Sequence, residues 1–184
     1  MTRAVVDANV PIVANGRDGN YRLSCQAACV DAIERLIKQG VTLLDDGGMI
    51  LSEYSRHLHF RGQPGVGDAF FRFVIQNQAN RRRVRTVTLA LRENSNDYLD
   101  FPEDPRLAKF DRGDRMYAAC ARKSQRPVLN AVDSDWLDHK IVLEENGIIV
   151  HFLCGEVKSS WFVVAPATAR KSPPKRRHRR KRRT

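Results

Sequence analysis

The chain has 184 residues, 42% of them apolar, enough for one domain to bury a core without staples. Its formal net charge of +11 sits at one end: ten of the 32 lysines and arginines fall between Arg170 and Arg183 with no acid among them, leaving 22 against 21 acids over residues 1–169. No apolar run approaches the roughly 18 residues of a membrane span and no signal-peptide pattern opens the chain, so a membrane role is excluded and a cytoplasmic protein is expected.

Ala4, Val5 and Val6 form a short apolar run of the kind a buried central strand shows, ending at Asp7 with Asn9 two residues later. Asp7 is either a turn or cap residue, with Pro11 suited to a first helical turn, or the first acid of a site. Residues 15–23 make a loop. A helix then starts near Ser24, with Cys25, Cys29, Ala32, Ile33 and Leu36 on one stripe and Gly40 as its stop. Val41 to Leu44 is a second strand, and the turn DDGG at 45–48 leads into a helix whose inner face carries Ile50, Tyr54 and Leu58. Glu53 lies beside that face, and an acid on an inward stripe needs a partner or a metal.

Gly62, Gly65 and Gly67 precede an aromatic helix with Phe70, Phe71, Val74 and Ile75. Their GxxGxG order, with no strand before it, is not a nucleotide-binding fingerprint and predicts a loop or hinge. Arg81, Arg82, Arg83 and Arg85 lead into a strand over Val84 to Thr88, as a solvated edge or a phosphate-contacting surface. Residues 92–108 hold unperiodic acids in an irregular connection.

The stretch from Lys109 to Trp136 concentrates four aspartates. Asp111 fits a helix N-cap, and Ala118 and Ala121 continue the face of Asp114, turning that carboxylate toward the apolar side. Pro127 stops the helix, Val128 and Leu129 begin a strand, and Asp133 and Asp135 follow where open α/β sheets place their ligands. A polar helix then runs to about Asn146, Gly147 breaks it, and Ile148 to Leu153 form the last strand. Strands alternating with helices predict an α/β fold, a three-layer α/β/α sandwich around a parallel sheet. The expected division is a domain over 1–155, an extension over 156–169 and a disordered basic tail over 170–184. Cys25, Cys29, Cys120 and Cys154 show no CxxC pairing and are expected to be reduced core thiols.

In four places residues 3–153 resemble the PIN-domain nucleases. AVVDANV corresponds to the first strand and its acid, ILSEYSRHL to the helical glutamate, DRMYAACA to the helical aspartate and VLNAVDSDW to the last acidic turn. The resemblance implies a PIN-like fold and Mg²⁺- or Mn²⁺-dependent cleavage of single-stranded RNA, sometimes DNA. It also implies a toxin of a toxin–antitoxin pair as one cellular role. Asp7, Glu53, Asp114 and Asp133 resemble the four family carboxylates, Asp135 an accessory acid, Asn130 the usual Thr or Ser, and Asn9 the small polar residue after the first aspartate. NAVDSD carries one residue more than the commoner spacing, so Asp133 and Asp135 both remain candidates for the metal. The partners implied are RNA or single-stranded DNA, an antitoxin protein and a second copy of the chain.

The residue types suit that chemistry. Two carboxylates about 4 Å apart repel by roughly 4 kcal/mol at an effective dielectric of about 20, so several stay ionised together only around a cation. Oxygen-only ligands select a hard ion such as Mg²⁺ or Mn²⁺. Arg112 and Arg115, flanking Asp114, are candidates to bind phosphate or plain surface charges. Lys175, Arg176, Arg177, Arg179 and Arg180 are candidates for an electrostatic nucleic-acid arm, with a solubilising end or a targeting signal as the alternatives. Two rival functions are a phosphoacceptor or phosphatase of the same class, which lacks its second aspartate because Asn9 stands there, and a non-catalytic RNA- or DNA-binding protein using the basic tail.

Overall fold

The apolar run that opens the chain becomes the middle of a sheet. In the computed structural model, described over residues 2–17, 19–59 and 63–163, β1 (Arg3–Val6) lies between β2 (Val41–Asp45) and β4 (Val128–Asn130). β3 (Val84–Val87) and β5 (Val150–Phe152) form the edges, giving the order β3-β2-β1-β4-β5. All four pairings are parallel, with Val5 opposite Leu43 on one side and Val128 on the other. Parallel neighbours need crossovers, and helices supply them. α1 (Asn9–Asn15) and α2 (Leu23–Gln39) join β1 to β2, while α3 (Met49–His57) and α4 (Val66–Gln76) join β2 to β3. α5 (Arg115–Ser124) precedes β4, and α6 (Ser134–Asp138) and α7 (Lys140–Glu145) join β4 to β5. The result is the expected three-layer α/β/α arrangement: α1, α2 and α4 pack on one another, and α5 lies across β1 to β4. The chain reverses its direction of travel across the sheet between β1 and β4, which opens a crevice at their C-terminal ends.

Two glycines are needed for close approach. The N–H of Gly40 donates to Leu36 O, and a Cβ at Gly40 would meet Leu36 at 2.7 Å. Gly67 does not belong to the loop expected from GxxGxG but to the first turn of α4, where a Cβ would lie 2.0 Å from Pro11 O. The spacing therefore serves helix-on-helix contact. Asp68, one residue on and 1% exposed, ties the same junction together by accepting from Asn15 Nδ2, His59 N and Gly65 N and by pairing with Arg17.

Two expectations change. α5 starts three residues later than Asp111 would set it: Asp114 is its N-cap residue, and Asp111 instead closes a turn by accepting from Gly113 N. The cysteines are not all reduced, because Cys25 in the first turn of α2 and Cys154 after β5 form a disulfide across 129 positions, while Cys29 and Cys120 are free and buried. The described part of the 156–169 extension packs on the domain. Arg22 N donates to Trp161 O, Val163 N to Asn20 O, and the buried Trp161 indole to Gly155 O. The tail residues Lys175, Arg176, Arg177, Arg179 and Arg180 lie outside the described residues. Among the described residues no helix is long and apolar enough to cross a membrane.

Candidate metal centre

Each acid of the site is placed by its element. Asp7 follows the last residue of β1 and is 4% exposed. Both of its oxygens are held: Oδ1 accepts from Asn9 N at 2.9 Å and Oδ2 from the Trp136 indole Nε1 at 2.8 Å. Asn9 also bonds across the crevice, its Oδ1 accepting from Ala131 N at 2.8 Å, which joins the start of α1 to the end of β4. Asp114 occupies the N-cap of α5 without making a side-chain cap, which leaves its carboxylate free. Asp133 caps α6, accepting from Asp135 N through Oδ1.

One oxygen from each of Asp7, Asp114 and Asp133 can be chosen so that the three lie within 4.8 Å of one another. They come from three separate elements, 107 and 19 residues apart along the chain. Glu53, on α3, faces the same region without joining the group of three: Tyr117 of α5 donates to its Oε2 at 3.2 Å. The neighbouring Tyr54 hydroxyl donates to Val6 O, which fixes α3 to the end of β1.

The electrostatics follow from this crowding. Burial, with Asp133 and Glu53 adding to it, pushes the Asp7 carboxyl up to about 7 against the hydrogen bonds from Asn9 and Trp136. Burial followed by repulsion from Asp7 and Asp133 pushes Asp114 to about 9. Asp133 is raised as well, chiefly by burial. Asp7 and Asp114 therefore retain their protons well above the usual carboxylate range, while Lys158 partly offsets the rise at Asp133.

The donor set fits a hard divalent cation. Oxygen ligands at about 2.1 Å from Mg²⁺ lie about 3 to 4 Å from one another, these carboxylate oxygens lie within 4.8 Å of one another, and there is no sulfur or imidazole among them. Asn130, at the end of β4 and 0% exposed, has no hydrogen-bond partner for either amide atom, and Asn9 Nδ2 has none either. Buried polar groups in that state are costly, and they cluster here at the crevice between β1 and β4.

Two candidates are turned elsewhere. Asp135 accepts from Asp111 N at 2.7 Å and contacts the His139 ring at 3.2 Å, so of the two alternatives in NAVDSD it is Asp133 that joins the cluster. Arg115 pairs with Asp97, donates to the carbonyls of Leu107, Ala108 and Phe110, and lies over the Phe101 ring at 4.7 Å. Its donors are used to anchor the 97–110 connection, whereas Arg112 is exposed. Sequence reasoning missed Trp136 and Tyr117 as holders of the acids. An aromatic NH or OH donor beside an acidic motif was the available signal.

No protein-family model, curated protein or solved structure matches the chain.

Proposed function

We propose that the protein is a Mg²⁺- or Mn²⁺-dependent nuclease that hydrolyses phosphodiester bonds of single-stranded RNA. The observation that carries this reading is the convergence of Asp7, Asp114 and Asp133 on one point at the C-terminal ends of β1 and β4. These three residues would hold the cation. When bound, the cation supplies Lewis-acid stabilisation of phosphoryl charge and lowers the pKa of water in its shell.

The chain's own contribution is positioning. Trp136 and Asn9 fix both oxygens of Asp7, so the carboxylate does not rotate away from the crevice. Glu53, oriented by Tyr117 and not tied to a cap, is the acid suited to hold a water or accept its proton. Arg112, on the exposed turn before Asp114, supplies a cation for a phosphate of the substrate. RNA as the substrate, and the toxin of a toxin–antitoxin pair as the cellular role, rest on the resemblance of the four acidic motifs.

The test is cleavage of end-labelled single-stranded RNA by the full chain in EDTA, Mg²⁺ and Mn²⁺. Cleavage is expected only with the cations, and Asp7→Asn should lower the rate by at least about 10²-fold with the circular dichroism unchanged. Cation-independent binding without cleavage, lost on removing the basic tail, would replace this reading with that of a non-catalytic RNA-binding protein.

A further inference from the structure

Three of the four cysteines form a second cluster that the acidic centre does not use. Cys25 and Cys29 lie one turn apart on α2, at i and i+4, which places both thiols on one face of the helix. Cys154, in the turn after β5, approaches that face from another part of the chain. All three sulfurs lie within 4.8 Å of one another, and Cys29 Sγ is 4.0 Å from Cys154 Sγ.

A disulfide accounts for two of these sulfurs and not for the third. Cys29 is 0% exposed, and the contact its sulfur makes is with Cys154. A crosslink between α2 and the turn after β5 is complete with Cys25 and Cys154 alone. Three sulfurs converging on one point is instead what a thiophilic ion requires. Sulfurs bonded at about 2.3 Å to a common cation in a trigonal arrangement lie about 4 Å apart, as Cys29 and Cys154 already do.

We propose that Cys25, Cys29 and Cys154, once their disulfide is reduced, form a three-thiolate site for a soft cation of the Zn²⁺ class. The reduction is a two-electron step. A dithiol is oxidised to its own disulfide, the Cys25–Cys154 bond breaks, and each released sulfur takes up a proton. Binding then displaces the protons of all three thiols, which makes it favourable only for an ion whose sulfur bonds outweigh that loss. Cys154 is half-buried where its two partners are buried, so the trio opens to solvent on that side, leaving a fourth position for water. Sulfur ligands and oxygen ligands divide the metals between the two clusters: the thiolates select Zn²⁺, and the carboxylates select Mg²⁺ or Mn²⁺. The disulfide and the cation join the same two places, the first turn of α2 and the segment leading to Trp161. The redox state of the surroundings therefore decides which of the two bonds is made.

The experiment uses the full chain reduced with a phosphine under argon, and Co²⁺ as a spectroscopic substitute for Zn²⁺. One equivalent of Co²⁺ should produce a sulfur-to-metal charge-transfer band in the near ultraviolet, bleached by Zn²⁺ and indifferent to millimolar Mg²⁺. Cys29→Ser and Cys154→Ser should each weaken binding by at least about tenfold, whereas Asp7→Asn, which alters the acidic cluster, should leave the band in place. Absence of the band from the reduced chain, or its survival undiminished in Cys29→Ser, overturns the proposal. Where that variant does not fold, the parent chain gives the answer by mapping alkylated cysteines to individual peptides by mass spectrometry with and without Zn²⁺. Protection of Cys25, Cys29 and Cys154 together supports the site, and protection of two or none overturns it.

Discussion

The indole Nε1 of Trp136 donates to Oδ2 of Asp7 at 2.8 Å, so the last acidic motif of the chain orients the acid of the first. Trp136 is itself fixed, fully buried and packed edge-on to Phe110 with ring centroids 5.0 Å apart. Trp136→Phe keeps most of that packing and removes the donor. A hydrogen bond to a charged group contributes about 1.5 to 3 kcal/mol, so the Mn²⁺ concentration for half-maximal cleavage should rise about tenfold or more. A cation titration of the variant that overlays the parent would assign the indole a packing role alone.

The raised carboxyls make the cation-free protein sensitive to alkali. Asp7 and Asp114 hold their protons up to about pH 7 and about pH 9, whereas in the unfolded chain both release them near pH 3.8. A folded pKa above the unfolded one contributes stability that is complete below the unfolded value and is lost as pH rises through the folded value. In EDTA the melting temperature should therefore fall between about pH 4 and pH 9, by about 2 to 4 °C for each kcal/mol lost. Mn²⁺ should oppose the fall, and most strongly at the alkaline end, where it competes with the fewest protons. Melting curves that do not change with pH in EDTA would contradict the crowding of these acids.

Arg112 and Arg115 should separate binding from stability. Arg115→Ala removes the pairing with Asp97 and the bonds to three carbonyls, and should cost about 2 to 4 kcal/mol in a denaturant titration. Arg112→Ala touches none of these and should leave stability within about 0.5 kcal/mol while lowering the salt slope of RNA binding by about 1. The reverse pattern would place Arg115 on the substrate.

A chain ending at Ala169 tests the basic tail. About six phosphate contacts predict an affinity loss of roughly 10³ or more between about 50 and 200 mM salt for the full chain. The shortened protein should bind more weakly with a flatter slope, yet cut at the same positions, since phosphate contacts do not read sequence. Equal slopes for the two proteins would remove the tail from nucleic-acid binding.

The central strands were legible because they are short apolar runs ended by polar residues. The run from Ala4 to Val6 reads as a buried strand whatever surrounds it, and Asp7 inherits its place at the sheet's end from that. The start of α5 was less legible, because DRGD offers two aspartates with equal claims to a cap, and the turn that Asp111 closes with Gly113 decides between them. The orientation of Asp135 depends on Asp111 N, 24 residues away, and the fate of Arg115 on carbonyls of an irregular connection with no periodicity. The disulfide joins residues 129 apart, a distance over which helical spacing says nothing. Apart from the local turn at Asp111, what the sequence concealed was a contact made by folding between separate parts of the chain.

The clasp between Val163 and Asn20 fixes where the remainder of the chain begins. Asn20 lies just before α2, whose Cys25 is joined to Cys154 after β5. The segment after β5 is thus fastened to the approach to α2 near both of its ends, so that it opens only when the disulfide and the backbone clasp give way together.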